Sequence, residues 1–331
     1  MGDTGQIIDV HQHPLPRWYL RRLADAGLAK LGGRSPDEPS LQWSPEGALG
    51  QMDELGIAVA LLSFSDPGAS IGDPGFRREL ARECNEYLAD IAGQAHGRFG
   101  ALAVLPLPDV EDALVELNHA ADRLNLSGVV LLSNYGGAYL GDAQFDPLFA
   151  ELSRRRLPVF LHPAMPAYDA PLSYFPWILE FVFNTTRAAM HLIYSGTLDR
   201  YPDIPIILAH GGGTLPFLSF RLDMGQRIPG LELAHPVRHY LSRFYFDTAF
   251  ATAPEALSAL LSLVEPSQLL FGSDLPFGTV PAAALSISQL AQSPRLDDRI
   301  REAIDHGSAR RLFPSLAQAR SNRVHALSIA K

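Results

Sequence analysis

Lysine is all but missing from this chain. Of its 27 basic residues only Lys30 and Lys331 are lysines, and neither falls in a strand-like segment. That excludes a Schiff-base lysine at a strand end, and equally a carboxylated lysine bridging two metal ions, so a single-metal site is the arrangement left to test. Cysteine is scarcer still. Cys84 stands alone, which forbids an internal disulfide, and its place in the helical pattern Leu80, Cys84, Leu88, Ile91 marks it as a small packing residue rather than a nucleophile. No apolar run approaches the roughly 20 residues that span a bilayer. The N-terminus also lacks the basic and apolar regions of a signal peptide, so a cytoplasmic location is expected and no membrane partner. Positive charge is short overall: a net charge of −9 argues against nucleic acid as a partner.

What the sequence does have is apolar residues in short, regular runs. Hydrophobic residues make up 47% of the 331 and charged residues 19%, enough for a sizeable core. Eight β-rich runs recur: Ile7 to Val10, Val59 to Ser63, Phe99 to Leu105, Val129 to Leu132, Val159 to Leu161, Ile206 to Ala209, Phe244 to Phe246 and Leu269 to Phe271. Helical patterns lie between them, so the expected fold is α/β, a (β/α)8 TIM barrel. Ser44-Pro45 and Asp146-Pro147 supply helix starts, each a capping side chain followed by proline, and Asp109 is placed to cap the segment bearing Val110, Leu114 and Leu117. One barrel domain over residues 1–314 is expected, with an excursion at about 14–42 over the barrel mouth and a tail at 315–331.

The ends of the runs carry chemistry. They are His11 and His13, Ser63, Ser133-Asn134, His162, His210, Asp247 and Asp274, and in a barrel of this kind those ends share the rim where reactive groups converge. Alternate residues of a strand face one way, so His11 and His13 in "DVHQHP" can aim both rings at one spot. His11, His13, His162 and Asp274 together offer three imidazoles and a carboxylate, a donor set that zinc accepts with a position left open, and manganese is the alternative ion. His210 in "AHGGG" then stands free as acid or base, because an imidazole titrates near neutrality. Asp247 in "FDTAF" is expected to orient the site. The glycines of "HGGGTLPF" lack a P-loop lysine and dinucleotide spacing, so they serve close backbone approach rather than phosphate. Pro166 to Trp177, with Tyr168, Tyr174 and Phe175, is an apolar loop that follows a ligand and is expected to cover a substrate ring.

These pieces resemble the amidohydrolase superfamily, in the branch typified by aminocarboxymuconate semialdehyde decarboxylase and 6-methylsalicylate decarboxylase. The resemblance runs from about Gln6 to Phe313 and rests on the paired His11 and His13, "VVLLSNYGGAYLGDAQFDPLF", His162 with its following proline, "SGTLDRYPDI", "AHGGGTLPF", "FDTAF" and "FGSDLPF". It implies that His11, His13, His162 and Asp274 bind one metal and that His210 serves in catalysis. It further implies nonoxidative decarboxylation of a small aromatic acid with an ortho hydroxyl, 6-methylsalicylate being the leading candidate, with His210 or Asp274 delivering the proton. A metal-dependent hydrolase of a lactone or amide is the alternative. Arg221 lies eleven residues after His210, as does an arginine of the muconate enzyme that reaches the substrate of a neighbouring subunit, so a homodimer is implied. The chain departs from that enzyme at Ala164, where the latter has a tryptophan, and in having no clear match to its arginine before Trp43-Ser44-Pro45, so the muconate substrate itself is not implied.

Overall fold

Eight strands, all parallel to their neighbours, form the centre of the computed structural model, which describes residues 7–166 and 173–316. They are β1 (Ile7–Gln12), β2 (Ile57–Leu62), β3 (Phe99–Ala101), β4 (Val129–Leu132), β5 (Val159–His162), β6 (Ile206–Leu208), β7 (Phe244–Asp247) and β8 (Leu269–Leu270). Two ladders run β1-β2-β3 and β4-β5-β6-β7-β8. A bridge between Ala103 and Val129 joins β3 to β4, and a bridge between Gln12 and Leu275 joins the ends of β1 and β8. The Val10 N–H donates to the Phe271 carbonyl at 3.0 Å, which closes the barrel. Each of the eight expected runs contributes a strand. The Phe99–Leu105 run is cut to Phe99–Ala101 because Ala103 pairs with Val129 only as an isolated bridge.

The strands are apolar on both sides because both are covered, the barrel interior by side chains and the outside by helices. Val10, Leu61, Leu131, Leu161, Ile207 and Phe246 are all buried in one core. The helices begin where capping chemistry allows: Ser44 Oγ accepts from the Gly47 N–H at the head of Pro45–Leu55, and Asp109 accepts from the Asp112 N–H at the head of Val110–Asp122. Asp146 does not cap as expected. It is the first residue of the helix Asp146–Arg155, with Phe145 at the cap position, and its carboxylate instead meets Arg200 at 2.8 Å. Cys84 is buried, as its helical spacing implies.

The excursion after β1 contains a helix, Arg17–Asp25, and a short turn pairing Leu31 with Arg34. It comes back over the rim at Gly32 and Arg34, which line the cavity described below. The expected tail lies, beyond residue 316, outside the described residues, as does Tyr168. Among the described residues no helix is long and apolar enough to cross a membrane.

Candidate metal centre and its cavity

β1 ends by presenting His11 and His13, both fully buried. Nε2 of His11 lies 3.0 Å from Nε2 of His13, and Oδ1 of Asp274 lies 3.2 Å from the first and 3.0 Å from the second. His162, the last residue of β5, joins them, and one donor atom from each of the four falls within 4.8 Å of the others. The outward nitrogens are all engaged: Nδ1 of His11 donates to Asp247 at 2.7 Å, that of His13 to the Ser63 carbonyl at 2.8 Å, and that of His162 to the Pro163 carbonyl at 2.7 Å. Those partners accept only, so each Nδ1 carries hydrogen and each neutral ring turns a lone pair inward. Two ring nitrogens 3.0 Å apart need a shared cation between them, a proton held by His11 in the metal-free protein or a divalent ion. The donor set fits one divalent metal ion.

The titration of the groups says the same. Burial disfavours a charge on His11, yet the carboxylates of Asp247 and Asp274 outweigh it and push the ring up to about 10. Burial holds His13 and His162 below the ordinary imidazole range. Asp274 is held well below the usual carboxylate range, burial being overcome by the charge of His11 and by hydrogen bonds from His11 and His13. The cluster therefore asks for positive charge at its centre and binds it with anions behind.

Backbone strain marks two of these positions. Asp274 has φ of +60° and His210 φ of +56°, left-handed values uncommon for non-glycine residues. The run after His210 needs glycine for a simpler reason: a Cβ on Gly213 would lie 2.1 Å from the Val182 carbonyl oxygen. Gly272, just past β8, has His11 and Asp247 within 3.0 and 3.2 Å of where its Cβ would be, so a side chain there would drive them apart.

His210 stands beside the cluster without belonging to it. Its ring centroid is 5.0 Å from that of His11, and its backbone N–H donates to Asp247 Oδ1 at 2.9 Å. Burial holds its ring below the ordinary imidazole value. Asp247 could join His11 and His210 as a second triad of ligand types, but its two oxygens are already committed to the His11 ring and to the backbone of His210 and Ala249. It thereby holds the His11 ring and the backbone of His210 and Ala249.

A cavity of about 280 Å³ opens onto His162, His210 and Asp274. Its walls are mostly apolar, with Trp177, Phe181, Phe250 and Phe277 prominent. The loop after β5 does cover it in part: Trp177 lines the cavity, and the Phe175 ring packs on Gly33, within 2.7 Å of where a Cβ would stand. Arg34, Ser65 and Asp66 also line it, and none of the three stands out in the sequence. Arg34 sits in a glycine-bounded stretch of the excursion and Asp66 precedes a proline in what looks like a plain turn, so only the fold reveals them.

Arg221 is not brought to the site. It is exposed on the helix Leu215–Gly225, outside the cavity lining, and makes no ion pair with any described residue. Its neighbours Phe217 and Phe220 are 68% and 71% exposed.

The sequence profile described as amidohydrolase matches residues 8–315. The chain belongs to the amidohydrolase family. A 6-methylsalicylic acid decarboxylase of Penicillium expansum is 36% identical over 325 residues, covering 93% of this chain and 96% of its own. A 6-methylsalicylic acid decarboxylase of Aspergillus aculeatus is 35% identical over 335 residues, covering 96% and 98%. Among solved structures, a dihydroxybenzoic acid decarboxylase of Polaromonas, crystallised with manganese and 2-nitroresorcinol, superposes with a TM-score of 0.79 at 25% identity, covering 94% of this chain and 97% of its own. Within the amidohydrolase family this chain lies in the decarboxylase branch.

Proposed function

We propose that this protein is a metal-dependent, nonoxidative decarboxylase of small 2-hydroxybenzoate-type acids, 6-methylsalicylate among them. The observation that carries the reading is the cluster of His11, His13, His162 and Asp274 opening onto an apolar, ring-sized cavity with His210 on its wall. Its relatives' activities support the same chemistry.

A divalent ion held by the four donors would supply Lewis acidity and a template for a chelating carboxylate and phenol. The protein's own residues do the rest. Trp177, Phe181 and Phe277 line the space for the ring and exclude water. Loss of carbon dioxide from an arene leaves an unstable ring carbanion unless the carbon bearing the carboxylate is protonated first, so a proton must be held against that carbon. His210 is assigned that role because it lines the cavity and its Nδ1 faces the Ala249 carbonyl at 3.4 Å, leaving Nε2 for the substrate. Burial keeps the free ring neutral, so Nε2 first takes the proton of the substrate's phenol and then passes it to the ring carbon, the phenolate being reprotonated from solvent as product leaves. Asp274, held ionised among imidazoles, serves better as ligand than as acid. The proton reaches the ring carbon, the bond to the carboxyl carbon breaks, and its electron pair restores aromaticity.

Zinc is the ion assigned to this donor set, and manganese, present in the Polaromonas relative, is the competitor. The reading includes a cytoplasmic homodimer. Exposed Phe217, Trp177 and Ile178 line the cavity mouth, and exposed Phe220 and Arg221, the latter without an ion partner among the described residues, follow Phe217 on the same helix. A second copy packed there would bury the aromatics and carry its arginine toward this chain's cavity, where a guanidinium fork suits a carboxylate. The test is carbon dioxide release from 6-methylsalicylate by protein loaded with zinc or manganese and by the same protein stripped with a chelator. Release that follows the metal supports the proposal, and undiminished release from verified metal-free protein contradicts it.

A further inference from the structure

The cavity's walls differ in kind from one side of the barrel to the other. The excursion and the loop after β2 bring Arg34, Ser65 and Asp66 to one side, all of them polar. β6 stands opposite β2 in the closed ring of strands. The segments that follow β6 and β7 bring Gly211, Ala251, Ala256 and Leu260 to the other side, and none of these has a polar side chain. This apolar wall runs between two helices packed against each other, Leu215–Gly225, whose Pro216 and Phe217 line it, and Pro254–Leu263, which bears Ala256 and Leu260. Its floor is tight: a Cβ on Gly211 would meet the Ala251 Cβ at 2.9 Å and the Leu260 Cδ1 at 3.3 Å. Its outer end is open, with Ala256 half-buried and Phe217 68% exposed.

On the decarboxylase reading the carboxyl and phenol oxygens turn to the metal end, and His210 meets the carbon bearing the carboxyl. That carbon has two ring neighbours, one carrying the phenol and the other being position 6. A substituent at position 6 therefore leaves the ring beside His210, where Gly211 follows in the chain and Ala251 and Leu260 pack on it. A methyl group is one carbon long, whereas the wall continues to Phe217 at the surface. The cavity's volume of about 280 Å³ also approaches the roughly 300 Å³ at which sites enclose drug-sized ligands, more than a single small ring occupies. We infer that Gly211, Ala251, Ala256 and Leu260 form a subsite for an alkyl chain at ring position 6, so that 2-hydroxybenzoates with 6-alkyl chains longer than methyl are better substrates than 6-methylsalicylate. This rests on the decarboxylase reading above and deepens it by naming the class of acid the site selects. Each methylene moved from water onto an apolar wall favours binding. The chain lies away from the reacting carbon, so the gain is the same in the ground and transition states and falls on KM rather than kcat.

The experiment gives metal-loaded protein 2-hydroxybenzoates carrying methyl, ethyl, propyl or pentyl at position 6, with 4-propyl-2-hydroxybenzoate as an equally apolar control. Competitive kcat/KM gives selectivity, and ligand-induced shifts in Tm give binding that needs no turnover. From methyl to propyl kcat/KM should rise about tenfold, roughly three- to fourfold for each carbon buried, with kcat nearly constant. The Tm shifts should rise in the same order, and the 4-propyl acid should not share the gain. Ala256→Phe fills the subsite and should bring the propyl-to-methyl ratio to one or below, while turnover of the methyl acid stays close to the parent's. Ala256→Leu intrudes less and should remove part of the ratio; it carries the test should the phenylalanine variant fail to fold. The inference is overturned if the 6-propyl acid is no better than the 6-methyl acid, if the 4-propyl acid gains as much, or if the preference survives both substitutions unchanged. Failure of every acid in the series to bind or react would sink the decarboxylase reading and this inference together, whereas turnover of 6-methylsalicylate without a gain on lengthening the chain would overturn the subsite alone.

Discussion

The carboxylate of Asp247 lies 2.7 Å from Nδ1 of His11, and its other oxygen takes the His210 backbone N–H at 2.9 Å. One buried side chain thus fixes a proposed metal ligand and the loop that bears the proposed proton carrier. Asp247→Asn should keep the fold but loosen the His11 ring, lowering metal affinity by about 10- to 100-fold, the range for partners that orient a metal-bound histidine. Competition with a chelator of known affinity measures it. Unchanged affinity would mean that the hydrogen bond orients nothing.

His210 and the ligands should separate by metal content. His13→Ala and His162→Ala remove a donor apiece and should lose metal and activity together. His210→Ala should keep its metal, counted by elemental analysis, while losing about 10²- to 10⁴-fold in turnover. A folded His210→Ala protein without metal would make His210 a ligand.

The claim that Arg221 acts across a dimer is tested by mixing two inactive variants, Arg221→Ala and His210→Ala, unfolded and refolded together. If the arginine serves the partner's cavity, one site in each mixed dimer regains both groups and activity returns. A mixture as inactive as its parents, with subunit exchange demonstrated, would show that Arg221 does not act in trans.

Asp66 should reveal itself through stability. Desolvation in the cavity wall raises its folded pKa to about 6, above the ordinary 3.8, so between those values the folded state holds the extra proton and stability falls as pH rises. The penalty is complete above about pH 6 and absent below about pH 4. Asp66→Asn removes it. The variant should therefore exceed the parent protein by about 1–2 kcal/mol at pH 7, the full shift being discounted for water reaching the cavity. Near pH 4 the two should coincide. Equal stability at both pH values in urea unfolding would contradict the pKa shift.

The barrel and the cluster of histidines and Asp274 at its rim were legible in the sequence for one reason. Each of His11, His13, His162, His210 and Asp274 sits at or just past the end of an apolar run, and parallel closure carries all such ends to one rim. Asp247 was legible as a part of the site on the same ground, but its dual hold on His11 and His210 needed coordinates. Arg34 and Asp66 escaped notice because loops place them: the excursion after β1 folds back over the rim, and Asp66-Pro67 has the look of an ordinary turn. Asp146 misled because a proline after an acid fits either a cap or the first helical turn, and here the helix starts at the acid itself.

The central claim is proton delivery to the carbon that loses its carboxyl group at a metal-dependent site. Metal-loaded protein incubated with 6-methylsalicylate in deuterium oxide should release carbon dioxide and leave 3-methylphenol carrying deuterium at the ring carbon between the hydroxyl and the methyl group, as read by proton NMR. A ring-opened or hydrolysed product, or recovery of the intact acid by protein with its metal verified, would contradict the account.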